Sequence, residues 1–151
     1  MAGRVESDIR ELILERGKIT FAQFMDIALF SMNGGYYTSQ EYGKEKDYYT
    51  APAAHPIFGA SIAIQLEQLW KLMGSPPTFH LLEVGAGVGL LARDILAYSS
   101  ALASDFSEAL SYIAIDYQSL MIPDMNVQRI KTNSLPFRDV VGCVLSNELL
   151  D

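Results

Sequence analysis

The chain has 151 residues, about the length of one domain, and half of them are apolar, which is enough to bury a core. Its 11 basic and 18 acidic residues give a net charge of -7 and form no basic stripe, which argues against a nucleic-acid surface. The single cysteine excludes an intrachain disulfide, and the two histidines argue against a metal site. No apolar run approaches the roughly 18 residues of a membrane span.

The N-terminal stretch MAGRVESDIRELILERG carries acidic residues early and lacks the apolar core of a signal peptide. Neither export nor mitochondrial import is therefore expected. We predict a cytoplasmic location, for which a bacterial cytoplasm is the simplest case.

The first half of the chain is predicted to be helical. Ser7 is a candidate N-cap for a first helix that stops at Gly17, and the TFAQ stretch at residues 20–23 is a capping box for a second. A polar, tyrosine-rich loop follows, and a third helix is predicted to begin near Pro56. We assign residues 1–77 to an N-terminal helical region that includes this loop.

From residue 78 onward the pattern changes to short apolar runs. FHLLEV, SYIAID, VQRI and VVGCVLSN predict four strands, and LLARDILAY predicts a helix between the first two. Strands that alternate with crossovers indicate an α/β domain with a parallel sheet, whose ligands bind beyond the carboxyl ends of the strands. Cys143 falls in the fourth of these strands and is expected to be a small core residue.

Three glycines follow the first predicted strand. Gly85, Gly87 and Gly89 form a G-x-G-x-G pattern, whereas the dinucleotide fingerprint G-x-G-x-x-G requires its last glycine where this chain has Leu90. That fingerprint also places an acidic residue about 20 positions further on. Here the next acidic strand end is Asp116, 116 − 89 = 27 positions after the last glycine. Both differences argue against NAD.

The same residues suit a mononucleoside cofactor better. Without side chains, Gly85, Gly87 and Gly89 let the backbone approach a ribose and an amino-acid moiety. Glu83 is a candidate acceptor for an ammonium group, and Asp116 for both ribose hydroxyls. Two alternatives stay open: the glycines form only a tight connection, and Asp116 is only a solvated strand end.

Taken together, the acid before the glycines, the alternating glycines and the acid ending the next strand resemble class I S-adenosylmethionine-dependent methyltransferases. The stretches NGGYYTS, DYYTAPAAHPIFG, LLEVGAGVGLLARDIL and SNELLD resemble, in the same order, four motifs of the MidA family. That family is related to the mitochondrial complex I assembly methyltransferase. The resemblance covers the chain from Ile19 to Asp151, and it implies S-adenosyl-L-methionine as the cofactor.

The resemblance also implies a protein substrate with an arginine as the methyl acceptor. Glu148, and with it Asp151, would orient the guanidinium, and Asn147 would position a donor nitrogen. The alternative is that Glu148 and Asp151 cap the next helix. Thr50 and Pro52 would form part of the wall of the cofactor pocket, or the proline would only shape the entry into a helix.

Five residues depart from the family pattern. Lys46 stands where glycine is usual, Ala53 where glutamate is common, and His55 where serine is common, while Ala86 and Val88 replace a frequent proline and arginine between the glycines. The departures at Ala53 and His55 keep a second hypothesis open, a non-catalytic assembly or binding factor that retains the fold. A nucleotide-dependent oxidoreductase is a third hypothesis, which Leu90 and the distance to Asp116 disfavour.

The chain ends directly after the fourth predicted strand, whereas the resemblance implies a sheet of seven. Residues 78–151 are therefore expected to be the first half of a Rossmann-like methyltransferase domain, taken from a longer protein or a truncated one. An exposed fourth strand would require a partner, either the remaining half or a second copy in a homodimer. Neither a nucleic acid nor a membrane is expected as a partner.

Overall fold

The computed structural model describes residues 2–38, 51–117 and 126–149. The chain divides into two compact units, Met1–Asp47 and Tyr48–Asp151. In the described residues, the first unit is helical and the second contains a parallel sheet with helices, which confirms the predicted α/β class. None of the helices in these ranges is long and apolar enough to cross a membrane.

The described part of the first unit contains two helices, α1 (Ala2–Arg16) and α2 (Phe21–Phe30). Helix α1 ends at Gly17, as predicted, because this glycine takes a left-handed φ of 78° and its amide donates to the Ile13 carbonyl at 2.8 Å. That bond satisfies one of the carbonyls that a helix leaves unpaired at its C-terminus.

The capping box at the start of α2 is confirmed. The Gln23 amide donates to Thr20 Oγ1 at 3.2 Å, and the Thr20 amide donates to Gln23 Oε1 at 2.9 Å. The prediction for Ser7 is wrong, because α1 already begins at Ala2 and the serine hydroxyl instead donates to Glu11 at 3.4 Å. The alanine, arginine and glutamate that precede the serine are strong helix formers, so the helix extends beyond the candidate cap.

The second unit carries the sheet. Its strands and helices are, in chain order, α3 (Ala51–Ala54), α4 (Ile57–Leu72), β1 (Phe79–Val84), α5 (Leu90–Ser99), α6 (Ser104–Ala109), β2 (Leu110–Asp116), β3 (Val127–Lys131) and β4 (Gly142–Ser146). All four predicted strands form, and the short helices α3 and α6 are additions to the prediction. The strand order is β3-β2-β1-β4, and every pairing is parallel.

The larger core lies between one face of the sheet and the helices α4, α5 and α6. Three aromatic rings meet there: Phe79 of β1, Trp70 of α4 and Phe106 of α6. The ring centroid of Phe106 lies 5.7 Å from that of Trp70 and 6.3 Å from that of Phe79. A smaller cluster around Leu82 and Ile113 covers the opposite face. Because successive strand residues point to opposite faces, the apolar runs in the sequence supply both clusters.

The boundary predicted between residues 77 and 78 differs from the division at 47 and 48 in the structure. The reason is that α4 packs along α5 and contributes Leu66 and Trp70 to the core. The two helices approach so closely that a Cβ placed on Gly59 would lie 2.5 Å from the Cβ of Asp94. Helix α4 is thus a layer of the sheet domain, although it precedes the first strand.

Strand β4 is less buried than predicted. Its residues alternate between half-buried and exposed, with Val144 53% exposed. Cys143 is half-buried against the larger core, and partial burial raises the pKa of its thiol. The physical reason is position, since β4 is an edge strand of the sheet in the described residues and pairs only with β1 there.

Candidate functional site

The strand order creates a crevice at the carboxyl ends of β1 and β4. Strands β2 and β3 extend the sheet from one edge of β1. The chain then returns, and β4 pairs with the opposite edge of β1. Open α/β sheets bind their ligands at such a reversal, outside the carboxyl ends of the two neighbouring strands. Residues 85–89 follow β1 and residues 147–149 follow β4, so two of the predicted motifs lie at this crevice.

The three glycines form the turn that leaves β1. Gly85, Gly87 and Gly89 have φ values of 77°, 55° and 76°, a left-handed conformation that residues with a side chain rarely adopt. The turn is also bonded to the next strand, because the amide of the first glycine donates to the Ile115 carbonyl at 2.9 Å. The alternation of glycines is therefore required by the backbone conformation, independently of any ligand.

Asp116 is directly tied to this turn. The Gly87 amide donates to Asp116 Oδ2 at 2.9 Å, which joins the end of β2 to the middle of the glycine turn. A carboxylate has two acceptor oxygens, a chemistry that suits the two hydroxyls of a ribose. The structure thus brings together two residues, 29 positions apart, that the sequence assigned to one cofactor site.

The last glycine of the turn is the N-cap of α5. Gly89 has no side chain with which to cap the helix, and the Arg93 amide is the first that donates back to its carbonyl, at 3.0 Å. The amides of residues 90–92 therefore lie at the positive end of the helix dipole. This end of α5 favours an anionic or carboxylate group of a ligand bound at the crevice.

Glu83 is the most unusual ionisable group at the crevice. Its side chain is only 3% exposed, two residues before the glycine turn, and Glu83 Oε2 accepts a hydrogen bond from the Tyr112 hydroxyl at 2.8 Å. The pKa of this carboxyl is raised to about 7. Burial is the largest cause, the tyrosine hydrogen bond opposes it, and the nearby negative charge of Asp116 adds to it. In the described residues, no lysine or arginine forms an ion pair with it.

Sequence reasoning missed Tyr112. The tyrosine is 1% exposed in the middle of β2, and burial together with Glu83 raises the pKa of its hydroxyl far above the usual range. A signal was present in the register, because Tyr112 pairs with Leu81 and therefore points to the same face of the sheet as the glutamate two residues further along β1. Only the pairing of the strands makes this visible.

The residues predicted to handle the methyl acceptor follow β4. Asn147 is half-buried and Glu148 is exposed, with a left-handed φ of 49° that is unusual for a glutamate. The neighbouring Leu149 reaches the glycine turn, since a Cβ placed on Gly85 would lie 2.8 Å from Leu149 Cδ1. The chain after β4 thus lies against the turn after β1, while Asp151 is outside the described residues.

The predicted pocket wall is described only in part. Pro52 is buried in α3, a helix that packs on α5, while Thr50 is outside the described residues. His55 forms a local cap, since its Nδ1 accepts a hydrogen bond from the Ile57 amide at 3.0 Å. In the ranges that the structure describes, no group of three or more histidine, cysteine or acidic side chains could hold a metal ion.

Comparisons with known proteins point in one direction. The model of a family described as "Putative S-adenosyl-L-methionine-dependent methyltransferase" matches residues 61–151. The chain is 40% identical over 95 residues to the mitochondrial protein arginine methyltransferase NDUFAF7 homolog of Drosophila melanogaster, covering 62% of this chain and 22% of that protein. The Mus musculus protein arginine methyltransferase NDUFAF7, also named mitochondrial, is 37% identical over 93 residues, covering 61% and 21%.

The chain therefore spans about a fifth of the length of these curated relatives. Among solved structures, an uncharacterized protein from Burkholderia thailandensis matches with a TM-score of 0.71 and 25% identity. That match covers 99% of this chain and 39% of the other. It extends over both units and agrees with the predicted methyltransferase-like fold.

Proposed function

This chain belongs to that S-adenosyl-L-methionine-dependent methyltransferase family, and from this premise we propose that the protein transfers a methyl group to an arginine of a protein partner. The observation that carries the proposal is the left-handed glycine turn after β1, joined to Asp116 by the Gly87 amide at the sheet crevice. The names of the relatives, protein arginine methyltransferases, support the choice of acceptor. The cofactor of the family is S-adenosyl-L-methionine.

The described residues fit this cofactor. Gly85, Gly87 and Gly89 carry no side chains and form the left-handed turn that a cofactor would approach, and Asp116 has oxygens suited to the two hydroxyls of a ribose. Glu83 is a buried carboxyl whose charged form a nearby cation would stabilise, and the ammonium of an amino-acid moiety would supply that cation. When bound, S-adenosyl-L-methionine supplies a methyl group on a positively charged sulfonium.

The proposed acceptor side lies after β4. Glu148 would accept hydrogen bonds from the planar guanidinium fork and stabilise the additional positive charge that the methyl group brings, until the methylated nitrogen releases a proton to solvent. Asn147 would fix the orientation of the donor nitrogen, and Asp151 would add a second carboxylate. The contact of Leu149 with the glycine turn supports this assignment, because it brings the chain after β4 to the proposed cofactor site. In-line transfer requires that proximity. Thr50 and Pro52 remain proposed wall residues.

The cofactor half of the proposal is tested by calorimetric titration with S-adenosylhomocysteine, the demethylated cofactor product, and with NAD as the control ligand. We expect saturable binding of S-adenosylhomocysteine alone, and its loss in Gly87→Val. Gly74→Val is the matched control, because Gly74 also has a left-handed φ of 83°, with no atom within 4 Å of an added Cβ and no place in the site. Binding of NAD, or unchanged affinity in Gly87→Val, would refute the proposal.

The transfer half is tested with methyl-labelled S-adenosyl-L-methionine and a matched pair of peptides that differ only in arginine or lysine. We expect label on the arginine peptide, loss of label in Glu148→Ala, and unchanged affinity of that variant for S-adenosylhomocysteine. Cofactor binding without transfer to any arginine would favour the non-catalytic assembly factor. The specific observation for that alternative is Ala53, whose methyl group cannot replace the glutamate common in the family.

The compartment is also a proposal. The expectation from the sequence is the cytoplasm, whereas the names of the relatives assign those proteins to mitochondria. Fractionation of cells that express the protein at its natural level decides between the two, and recovery in the mitochondrial fraction would overturn the cytoplasmic prediction.

A further inference from the structure

The hydrogen bond between Glu83 and Tyr112 connects two buried side chains on adjacent strands. The glutamate pairs in register with Ala114, and the tyrosine lies two residues earlier on the same strand, so both point to the face of the sheet covered by α4 and α5. The two side chains are 3% and 1% exposed, and 2.8 Å separates their oxygens. A carboxyl held in this way has few other orientations available.

The groups that face Glu83 include no unpaired cation among the described residues. From β2 come Tyr112 and the carboxylate of Asp116, and the residue of β4 opposite Glu83 is Leu145, which is apolar. The charged side chains of the covering helices α4 and α5 pair with each other: Arg93 with Asp94 on α5 at 2.8 Å, and Lys71 with Glu67 on α4 at 2.9 Å. Glu83 is therefore a buried acid without a counterion.

We propose that Tyr112 is a positioning residue that holds Glu83 for the ammonium group of the cofactor, and that cofactor binding drives a proton off the Glu83 carboxyl. This inference rests on the proposed function, because it requires a cofactor that carries an ammonium group. The geometry supports it, since Glu83 lies two residues before the glycine turn and the Tyr112 hydroxyl holds its carboxyl from the neighbouring strand.

The proton balance is simple. In the empty site the carboxyl of Glu83 is protonated in about half of the molecules at neutral pH, because burial raises its pKa to about 7. The arriving ammonium keeps its protons and stabilises the carboxylate, so the carboxyl proton leaves to the buffer. The Tyr112 hydroxyl donates to the carboxylate throughout, and no covalent bond to the ligand forms.

The first test counts protons by calorimetry of S-adenosylhomocysteine binding in buffers of different ionisation enthalpy. A pKa of about 7 predicts more proton release at pH 6 than at pH 8. In Glu83→Gln this pH-dependent release disappears, while any proton exchange of the ligand's own amino group, which titrates at higher pH, remains. Equal proton counts in wild type and Glu83→Gln would overturn the inference and leave the proposed function intact.

The second test separates positioning from packing. Tyr112→Phe keeps the ring but removes the donor to the charged form, so the pKa of Glu83 rises further. We expect the affinity of the variant, relative to wild type, to be about tenfold weaker at pH 7 and to recover as the pH rises above the new pKa. Tyr98→Phe, which alters an exposed tyrosine on α5, is the matched control. A loss that is equal at every pH would show a merely structural role.

A ligand-free measurement keeps the two proposals distinguishable. The carboxyl carbon of Glu83, assigned with Glu83→Gln, is followed by NMR from pH 4 to pH 9 in wild type and in Tyr112→Phe. We expect a midpoint of about 7 in wild type and a higher one in the variant. An ordinary carboxyl midpoint refutes the inference even if cofactor binds. An absence of cofactor binding at every pH refutes both the inference and the proposed function, whatever the midpoint.

Discussion

Glu83 should make the folded chain less stable as the pH rises, whereas most carboxylates, whose pKa values are lowered on folding, make it more stable. The variant Glu83→Gln tests this difference. The pKa of Glu83 is raised from 4.5 to about 7 in the folded chain because the side chain is buried. A group with a raised folded-state pKa contributes stability that is fully present below its unfolded pKa and is lost as the pH rises through the folded pKa. The folded chain therefore loses stability at this site between about pH 4.5 and pH 7.

The size of the effect follows from the two pKa values. Each unit of difference corresponds to about 1.4 kcal/mol, so the full penalty for ionising the buried carboxyl is about 3 kcal/mol. Between pH 5 and pH 8 the penalty grows by about 2–3 kcal/mol. Glutamine has nearly the same shape and does not ionise. Between pH 5 and pH 8, the free energy of unfolding of Glu83→Gln should therefore rise by this amount relative to that of wild type.

The assay is urea denaturation of both chains at half-unit steps from pH 5 to pH 8, analysed as the difference between them so that other titrating groups cancel. Glu67→Gln is a control of opposite sign, because the hydrogen bond from the Lys71 side chain lowers the pKa of Glu67. Its stabilising contribution is lost only as the pH falls below about 4.5, so the difference between Glu67→Gln and wild type should stay nearly constant from pH 5 to pH 8. Parallel stability curves for wild type and Glu83→Gln would refute the raised pKa and the reasoning built on burial.

Two further changes test the packing that holds the site in place. Gly59→Ala should lower the free energy of unfolding by about 1–3 kcal/mol, because its Cβ would lie 2.5 Å from the Cβ of Asp94. The control Gly3→Ala should not destabilise the chain, because the space around Gly3 in α1 is open. Urea denaturation compares the two, and equal stabilities would contradict the close approach of α4 and α5. Phe106→Ala should cost about 3–5 kcal/mol in the same assay, because the ring is fully buried against Trp70, and a loss below about 1 kcal/mol would contradict this core.

Several features of this protein were determined by the sequence alone, because they depend on neighbouring residues. The run FHLLEV predicted β1 at its observed bounds, Phe79–Val84, since an apolar stretch ending at glycines has few other uses. The capping box and the stop at Gly17 were also predicted, because each requires one side chain or one φ value within a few positions. The glycine pattern and the acid ending β2 predicted a cofactor turn for the same local reason.

Local reasoning was wrong where a competing local choice or a distant contact decided the outcome. Ser7 is a suitable cap, but strong helix formers before it extend α1 past it. Helix α4 carries no sequence signal that assigns it to the sheet domain, and its packing on α5 moves the division between the units from residue 77 to residue 47. The exposure of β4 follows from its edge position, which its apolar sequence does not reveal.

The candidate site shows the same difference most clearly. The sequence predicted which residues would hold the cofactor: Glu83, the glycines and Asp116. Only the tertiary structure decided that Gly87 bonds to Asp116 and that Tyr112 holds the glutamate, each across 29 positions of chain. The physical reason is that these contacts depend on strand order and register, and both are set by how the whole core packs rather than by the residues that meet.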